Sequence, residues 1–378
     1  MKVAIIGAGI VGAAIADAMA ARGARVHLYD MRRPGAGASQ ASAGVLAPYV
    51  EARPGSPLLA LGARSLAMWD AWVAALRARA RIPFHYDRSG TLEVALGDEE
   101  AAHLRRSADW LAAEGIAHEW LEGAALRDRE PQVSASAAGG LLIPSHGCVQ
   151  VPALVAALMA SARQHGATCE TPVEVVHVEQ KTRSVGGTDV PPHVHLRVGD
   201  RVEEFDHVVI AAGSWSRRVR VAGVPVFPVR PIRGQLLHLS WPGESLPRRP
   251  VWGARCYTVP WPDGSLLVGA TVEDVGFDEH TTVAGVRELM DAAVDLLPGA
   301  ARASLDGVRV GLRPATPDQL PLLGPLAGHP RITLATGHYR NGILLAPYTA
   351  DVVTRLLLAG DPDPMLALTR PDRFQEAR

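Results

Sequence analysis

A glycine run, Gly7-Ala8-Gly9-Ile10-Val11-Gly12, and an acid 18 residues beyond it, Asp30, have the types and spacing that grip a dinucleotide. Gly7 lets the chain turn tightly, Gly9 lets backbone approach a pyrophosphate, and Gly12 lets a helix pack close to a sheet. A carboxylate at Asp30 suits ribose hydroxyls. The fingerprint alone leaves FAD and NAD open. A second chemistry rests on arginine. Arg313 follows a strand pattern, precedes Pro314 and sits among apolar residues. Its planar fork matches the two oxygens of a carboxylate, and it equally suits a structural ion pair with Asp318. Arg340 lies in a glycine-bounded turn, Gly337-His338-Tyr339-Arg340-Asn341-Gly342.

These residues need elements to hold them. Val3-Ala4-Ile5-Ile6 reads as a strand, the Ala-rich run after Gly12 as a helix, and Arg25 to Tyr29 as a second strand ending on Asp30. This βαβ unit presents free N–H groups and a partial positive charge to a phosphate. The small-residue run from Gly35 to Gly44 follows directly. Gly/Ser/Ala runs are common as linkers, but here small side chains would let backbone approach a large flat ligand. Ser56 and Pro57 mark the start of a helix to about Arg79. Strand-like alternation from Phe84 to Ala95 with a turn at Arg88-Ser89-Gly90, and a helix over Asp98 to Glu114, come next. The motif at Gly147-Cys148-Val149-Gln150-Val151-Pro152 leads a helix through Gln164. A strand over Thr171 to Val176 and a charged hairpin to Arg201 follow it.

Asp206 to Trp215 reads as a buried strand ending on a small turn at Gly213, as strands do where a sheet edge meets a ligand. From Val224 to about Leu305 the pattern is antiparallel: strands near Gln235–Leu239, Tyr257–Pro260 and Leu266–Ala270, a hairpin turn at Pro262-Asp263-Gly264, and a helix over Val283–Leu296. The chain closes with Val310 to Pro314, a strand from Ile332 into the Gly337 turn, and a helix over about Pro347–Leu358.

The composition narrows the classes. With 378 residues, 48% hydrophobic and 20% charged, the chain can bury a large core. A net charge of −1 gives no electrostatic basis for nucleic acid or an anionic membrane. Neither a signal peptide nor a membrane-length apolar run is evident, so a cytoplasmic protein is expected. The three cysteines, Cys148, Cys169 and Cys256, form neither a disulfide framework nor a metal pattern. The HxH pair His193 and His195 would share a strand face. No Cys, Asp or Glu lies close by in the sequence at ligand spacing, so no metal site is expected.

Seven stretches together resemble the FAD-dependent D-amino acid oxidase superfamily, and most closely its glycine oxidase branch, tied to thiamine biosynthesis. They are GAGIVG at Gly7, GASQASAGVLAP from Gly37, GCVQVPALV from Gly147, VVIAAGSWS from Val208, RGQ at Arg233, GLRPATPDQLPLLG from Gly311 and GHYRNGILLAP from Gly337. The resemblance runs nearly end to end. It implies an α/β fold: a discontinuous Rossmann-like FAD-binding domain (1–85, 143–224 and 306–378) and a substrate domain with an antiparallel sheet and helices (86–142 and 225–305). It implies that Ile10, Val11, Asp30, Met31, Ser39, Ala43, Gly44, Val45, Val173 and His338, Tyr339, Arg340, Asn341, Gly342, Ile343 and Leu344 line the cofactor. Asp30 stands where the family usually has Glu, and the shorter acid still accepts a ribose hydroxyl. The small-residue run carries no His or Cys, so FAD is expected without a covalent bond. Cys256 is the nearest alternative and reads better as a packing residue.

The resemblance also implies that Arg313 pins a substrate carboxylate and that Tyr257 makes a second contact to it. Arg340 touches substrate, flavin or both. No general base is assigned; Tyr339 and His338 are as readily frame residues for the flavin. The expected reaction is oxidation of glycine and small amines or amino acids such as sarcosine and small D-amino acids. Hydride would pass to flavin, with O2 as acceptor giving H2O2. Two other readings stand beside it. One is a D-amino acid or imino acid dehydrogenase feeding a quinone. The other is the flavin module of an RNA-modifying enzyme, against which the missing basic stripe speaks. The subunit count is open, a homo-oligomer included. Arg255 stands where some glycine oxidases carry His and could attract a second acidic group, though a surface-facing Arg is the preferred reading. Val272 stands where they carry Met, and the smaller side chain would admit more than glycine.

Overall fold

Alternation along the first strand sets up the layers. In the computed structural model, which describes residues 1–51, 54–185, 188–243 and 245–374, Val3 and Ile5 face one side of a sheet and Ala4 and Ile6 the other. That sheet has six strands, in the order Leu322–Leu326, His329–Thr336, His207–Ile210, Lys2–Ile6, Arg25–Tyr29, Thr168–Glu170. All pairings are parallel except the first. The helices Ile10–Ala20, Pro57–Arg79, Val151–Gln164 and Ala346–Ala359 cover the Val3 face. A four-stranded sheet, built on Val175–Val185, Thr188–Val198, Arg201–Phe205 and Arg220–Val221, covers the Ala4 face with Val178, Val194, Leu196 and Phe205. A parallel sheet buried on both faces needs apolar strands throughout, as Val208-Val209-Ile210 provides.

The antiparallel region joins earlier strands in an eight-stranded sheet, antiparallel except where Val251–Trp252 runs parallel to Thr91–Ala95. Its order is Ser304–Ala315, Arg230–Ser240, Ser265–Gly269, Tyr257–Pro260, Val251–Trp252, Thr91–Ala95, Gly139–Ile143, Glu119–Leu121. The helix Val283–Leu296 packs on it through Leu289, Ala292, Ala293 and Leu296. Ser304–Ala315 pairs along its length with Arg230–Ser240, on both sides of position 306, and so carries the chain from this sheet back to the parallel one. The Ser56 hydroxyl caps its helix by accepting from the Leu59 N–H at 3.3 Å. Thr171–Val176, read as one strand, is divided. Pro172 has no N–H to pair, and the Val173 N–H goes to the Asp30 carbonyl at 2.8 Å, so pairing resumes only at Val175. The tip of the hairpin between Val185 and Thr188 lies outside the described residues. Among the described residues no helix is long and apolar enough to cross a membrane.

Candidate active site

A cleft between the parallel and antiparallel sheets holds about 1710 Å³ of space, its open mouth included. Gly7, Gly9, Ile10 and Val11 form one end, where the helix Ile10–Ala20 begins with Gly9 as its N-cap. Gly7 has φ +104°, and a Cβ there would meet the Ala211 carbonyl oxygen at 2.5 Å, so only glycine lets the first strand turn beneath its neighbour. Gly12 is behind the wall: its Cα faces the Gly7 carbonyl so closely that a Cβ would lie 1.9 Å from that oxygen. It sets helix-to-strand distance and does not line the cleft.

Asp30 is fixed from both sides. One carboxylate oxygen accepts from the Ala8 N–H at 2.7 Å and the other from the Arg32 N–H at 2.8 Å. Burial raises its pKa, and the two backbone N–H groups oppose that. A carboxylate has about four acceptor sites, so capacity remains for a ribose hydroxyl. Asp30→Ala is therefore expected to weaken FAD binding by about 1–3 kcal/mol. Fluorescence titration of flavin-stripped protein measures this; unchanged affinity would reduce Asp30 to a local cap.

The small-residue run is a packed wall. The Ser39 hydroxyl accepts from the Ile10 N–H at 3.0 Å. Gly44 has φ +73°, and a Cβ there would fall 1.9 Å from the Val149 oxygen. Gly311 lies against the run: its Cβ would touch Ala41 at 2.8 Å. Ser39, Ala43, Gly44 and Val45 all line the cleft, with Met31, Val173 and Gly213 on the neighbouring strand ends.

Arg313 comes from the far sheet. Its guanidinium lies flat over Gly234 of the paired strand, where an added Cβ would meet its atoms at 2.3–2.4 Å. One Nη donates to the Thr271 carbonyl at 2.9 Å. Asp318, the alternative partner, has both oxygens on the Arg373 guanidinium at 2.8 and 2.9 Å. The Tyr257 phenol lies over Gly269, whose Cβ would reach its hydroxyl at 2.7 Å. Arg313 and Tyr257 line the same end of the cleft as Gly234 and Trp252. The turn at residues 338–344 also lines the cleft. Tyr339 takes φ +48° and donates its N–H to the Pro314 carbonyl at 2.9 Å, tying the turn to the strand that carries Arg313. His338 is buried, hydrogen-bonded through Nε2 to Thr349 at 3.0 Å, and burial drives its pKa down to about 4. It frames the turn as a neutral ring. Arg340 is exposed at the cleft wall.

One sequence expectation changes, that for Val272, and the surface-facing reading of Arg255 holds. Val272 is 56% exposed and lines a neighbouring depression with Ile232, Ala315 and Tyr339, so it does not size the cleft. Arg255 is exposed and paired with Asp295 of the Val283–Leu296 helix, so its charge is directed to the surface. Cys256 is buried in the core packed on the eight-stranded sheet, away from the cleft lining, and burial pushes its thiol up to about 12. No described Cys lines the cleft.

Sequence reasoning missed a second group. Arg32 makes a two-pronged ion pair with Glu279 at 2.6 and 2.9 Å and stacks on Trp215 at 4.4 Å. Arg218 stacks on Phe277 at 4.0 Å. These contacts bind the segment after the Ser265–Gly269 strand to the nucleotide end of the cleft. Arg233, 3% exposed, anchors the same segment through Glu273 and Asp278, each at 2.5 Å. The RGQ motif at Arg233 was the available signal. Trp252 sits in a two-residue strand and gave none.

The donor set fits FAD. Helix N-terminal amides and Asp30 suit the pyrophosphate and ribose, and the small-residue wall leaves room for a flat ring system. A profile described as FAD dependent oxidoreductase matches residues 2–356. The bifunctional protein ThiO/ThiG of Nostoc sp. is 34% identical over 379 residues, covering 99% of this chain and 55% of that protein. This chain thus spans about half the length of that relative. A glycine oxidase of Geobacillus kaustophilus is 34% identical over 373 residues, covering 97% of this chain and 96% of that one. A crystal structure of glycine oxidase from Geobacillus kaustophilus superposes with a TM-score of 0.89 at 32% identity, over 98% of this chain and 99% of that one.

Proposed function

The chain belongs to the FAD-dependent oxidoreductase family, and on that premise we propose that it oxidises glycine and other small amino acids or amines with O2. Glycine, O2 and water would give glyoxylate, ammonia and H2O2. FAD, when bound, supplies the redox chemistry, taking two electrons from the substrate and passing them to oxygen. The chain's own task is positioning.

The observation that carries the reading is Arg313 laid flat over Gly234 at the roofed end of the cleft, beside Tyr257. A planar fork there receives both oxygens of a carboxylate, and the phenol hydroxyl donates a further hydrogen bond. With the carboxylate held, the rest of the substrate is confined to the cleft that the Gly37–Val45 run and the 338–344 turn help to line. Such orientation is worth several kcal/mol of a barrier. The buried His338, hydrogen-bonded to Thr349 and with its pKa driven down by burial, brings no charge to the turn. No described residue is assigned as general base, so the amine is taken to reach the site unprotonated. A role in supplying glycine imine for thiamine biosynthesis accords with this reading.

The test is anaerobic. Glycine, sarcosine and D-alanine, mixed with the purified holoenzyme, are expected to bleach its visible flavin absorbance. Air should restore it with one H2O2 per turn. Bleaching without rapid reoxidation in air would turn the reading to a dehydrogenase that feeds a quinone. Absence of bleaching by every amino acid would remove it.

A further inference from the structure

On the outer face of the four-stranded sheet, outside the cleft lining, His193 and His195 stand two apart on one strand and so point the same way. Their rings are 5.0 Å apart between centroids. The sequence offers no third ligand nearby, but the fold does. The neighbouring strand Arg201–Phe205 places Glu204 directly opposite His195, and a Glu204 oxygen lies 3.9 Å from His195 Nε2. One ring nitrogen of each histidine and one Glu204 oxygen all fall within 4.8 Å of one another. We propose that His193, His195 and Glu204 bind one divalent transition-metal ion of the zinc class at this face.

The chemistry favours it. Imidazole nitrogens and a carboxylate are borderline ligands suited to Zn²⁺, Cu²⁺ or Ni²⁺, and tetrahedral Zn²⁺ takes them at about 2.0–2.2 Å. Ligand atoms around such an ion stand closer together than 4.8 Å, so the ion draws the three in. The His195 and Glu204 side chains are partly exposed and so have room to rotate toward the ion. The backbone is already set: Leu196 and Val194 alternate inward into the core between the two sheets. That pins His193 and His195 outward. Lys181, opposite His193, is drawn away to Glu179 at 2.5 Å, which keeps its ammonium paired beside the incoming cation. Three protein ligands leave a coordination position for water.

The experiment uses tag-free holoenzyme, treated with chelator, desalted and titrated calorimetrically with Zn²⁺. Saturable binding of one ion per chain is expected. His193→Ala and His195→Ala should each weaken it by more than about tenfold, since even an outer partner of a metal ligand is worth 10- to 100-fold. Glu204→Gln should weaken it less than either. Co²⁺ in place of Zn²⁺ should show visible absorption bands that vanish in the double histidine variant. Flavin content should be the same in all variants, which separates loss of the site from loss of the fold. Zn²⁺ uptake that survives the double variant, or no saturable uptake by the wild type, overturns the proposal.

Discussion

Arg313→Ala is expected to lower kcat/KM for the best amino acid roughly 30- to 4,000-fold. A carboxylate taken into a roofed pocket is costly unless paired. Removing one partner of such a pair costs about 2–5 kcal/mol, which converts to that range. The effect should fall on catalysis and leave flavin content normal, because in the proposed reading Arg313 contacts the substrate, and its guanidinium hangs from the Thr271 carbonyl. Arg313→Lys should recover only part, since an ammonium lacks the fork. Tyr257→Phe should cost less, about 1.5–3 kcal/mol for one hydrogen bond to a charged group. Steady-state kinetics on a fixed amino acid measure all three. Wild-type kcat/KM in Arg313→Ala would move the carboxylate contact elsewhere, first to Arg340.

Gly12→Ala should leave a destabilised protein that purifies with little or no flavin. The added methyl would lie 1.9 Å from the Gly7 carbonyl oxygen and 3.4 Å from the Ile5 side chain. The close contact is with backbone, so no rotamer relieves it, and the helix must back away from the first strand. Overpacking of this kind costs about 1–3 kcal/mol, occasionally more. The same shift displaces the helix N-terminus that faces the cofactor. Gly307→Ala is the matched control: its Cβ would meet nothing within 4 Å and its φ is ordinary for an L-residue. The ratio of flavin absorbance to protein and the melting temperature should drop in Gly12→Ala alone. Full flavin content in both variants would mean that the helix position is not what holds the cofactor.

The nucleotide end was legible in the chain because its determinants are local. Strand, glycine turn, helix, strand and Asp30 occupy thirty consecutive residues, and each step follows from periodicity and backbone sterics. The Ser56 cap and the Val283–Leu296 helix were readable for the same reason. At the other end, residue type offered Arg313 as a carboxylate fork or an ion-pair partner, and only the resemblance chose between them. Where a strand side chain points depends on which strand it pairs with and in what register, and neither is written in its own segment. Register placed Gly234 where the Arg313 guanidinium lies flat, turned Val272 and Arg255 out of the cleft, and brought Trp252 into it. It set Glu204 across from His195, completing a cluster whose two histidines the sequence could only leave as a pair. The Arg32–Glu279 clasp joins residues 247 positions apart. Such contacts are set by the closing of two sheets on each other, and only the tertiary structure decides them.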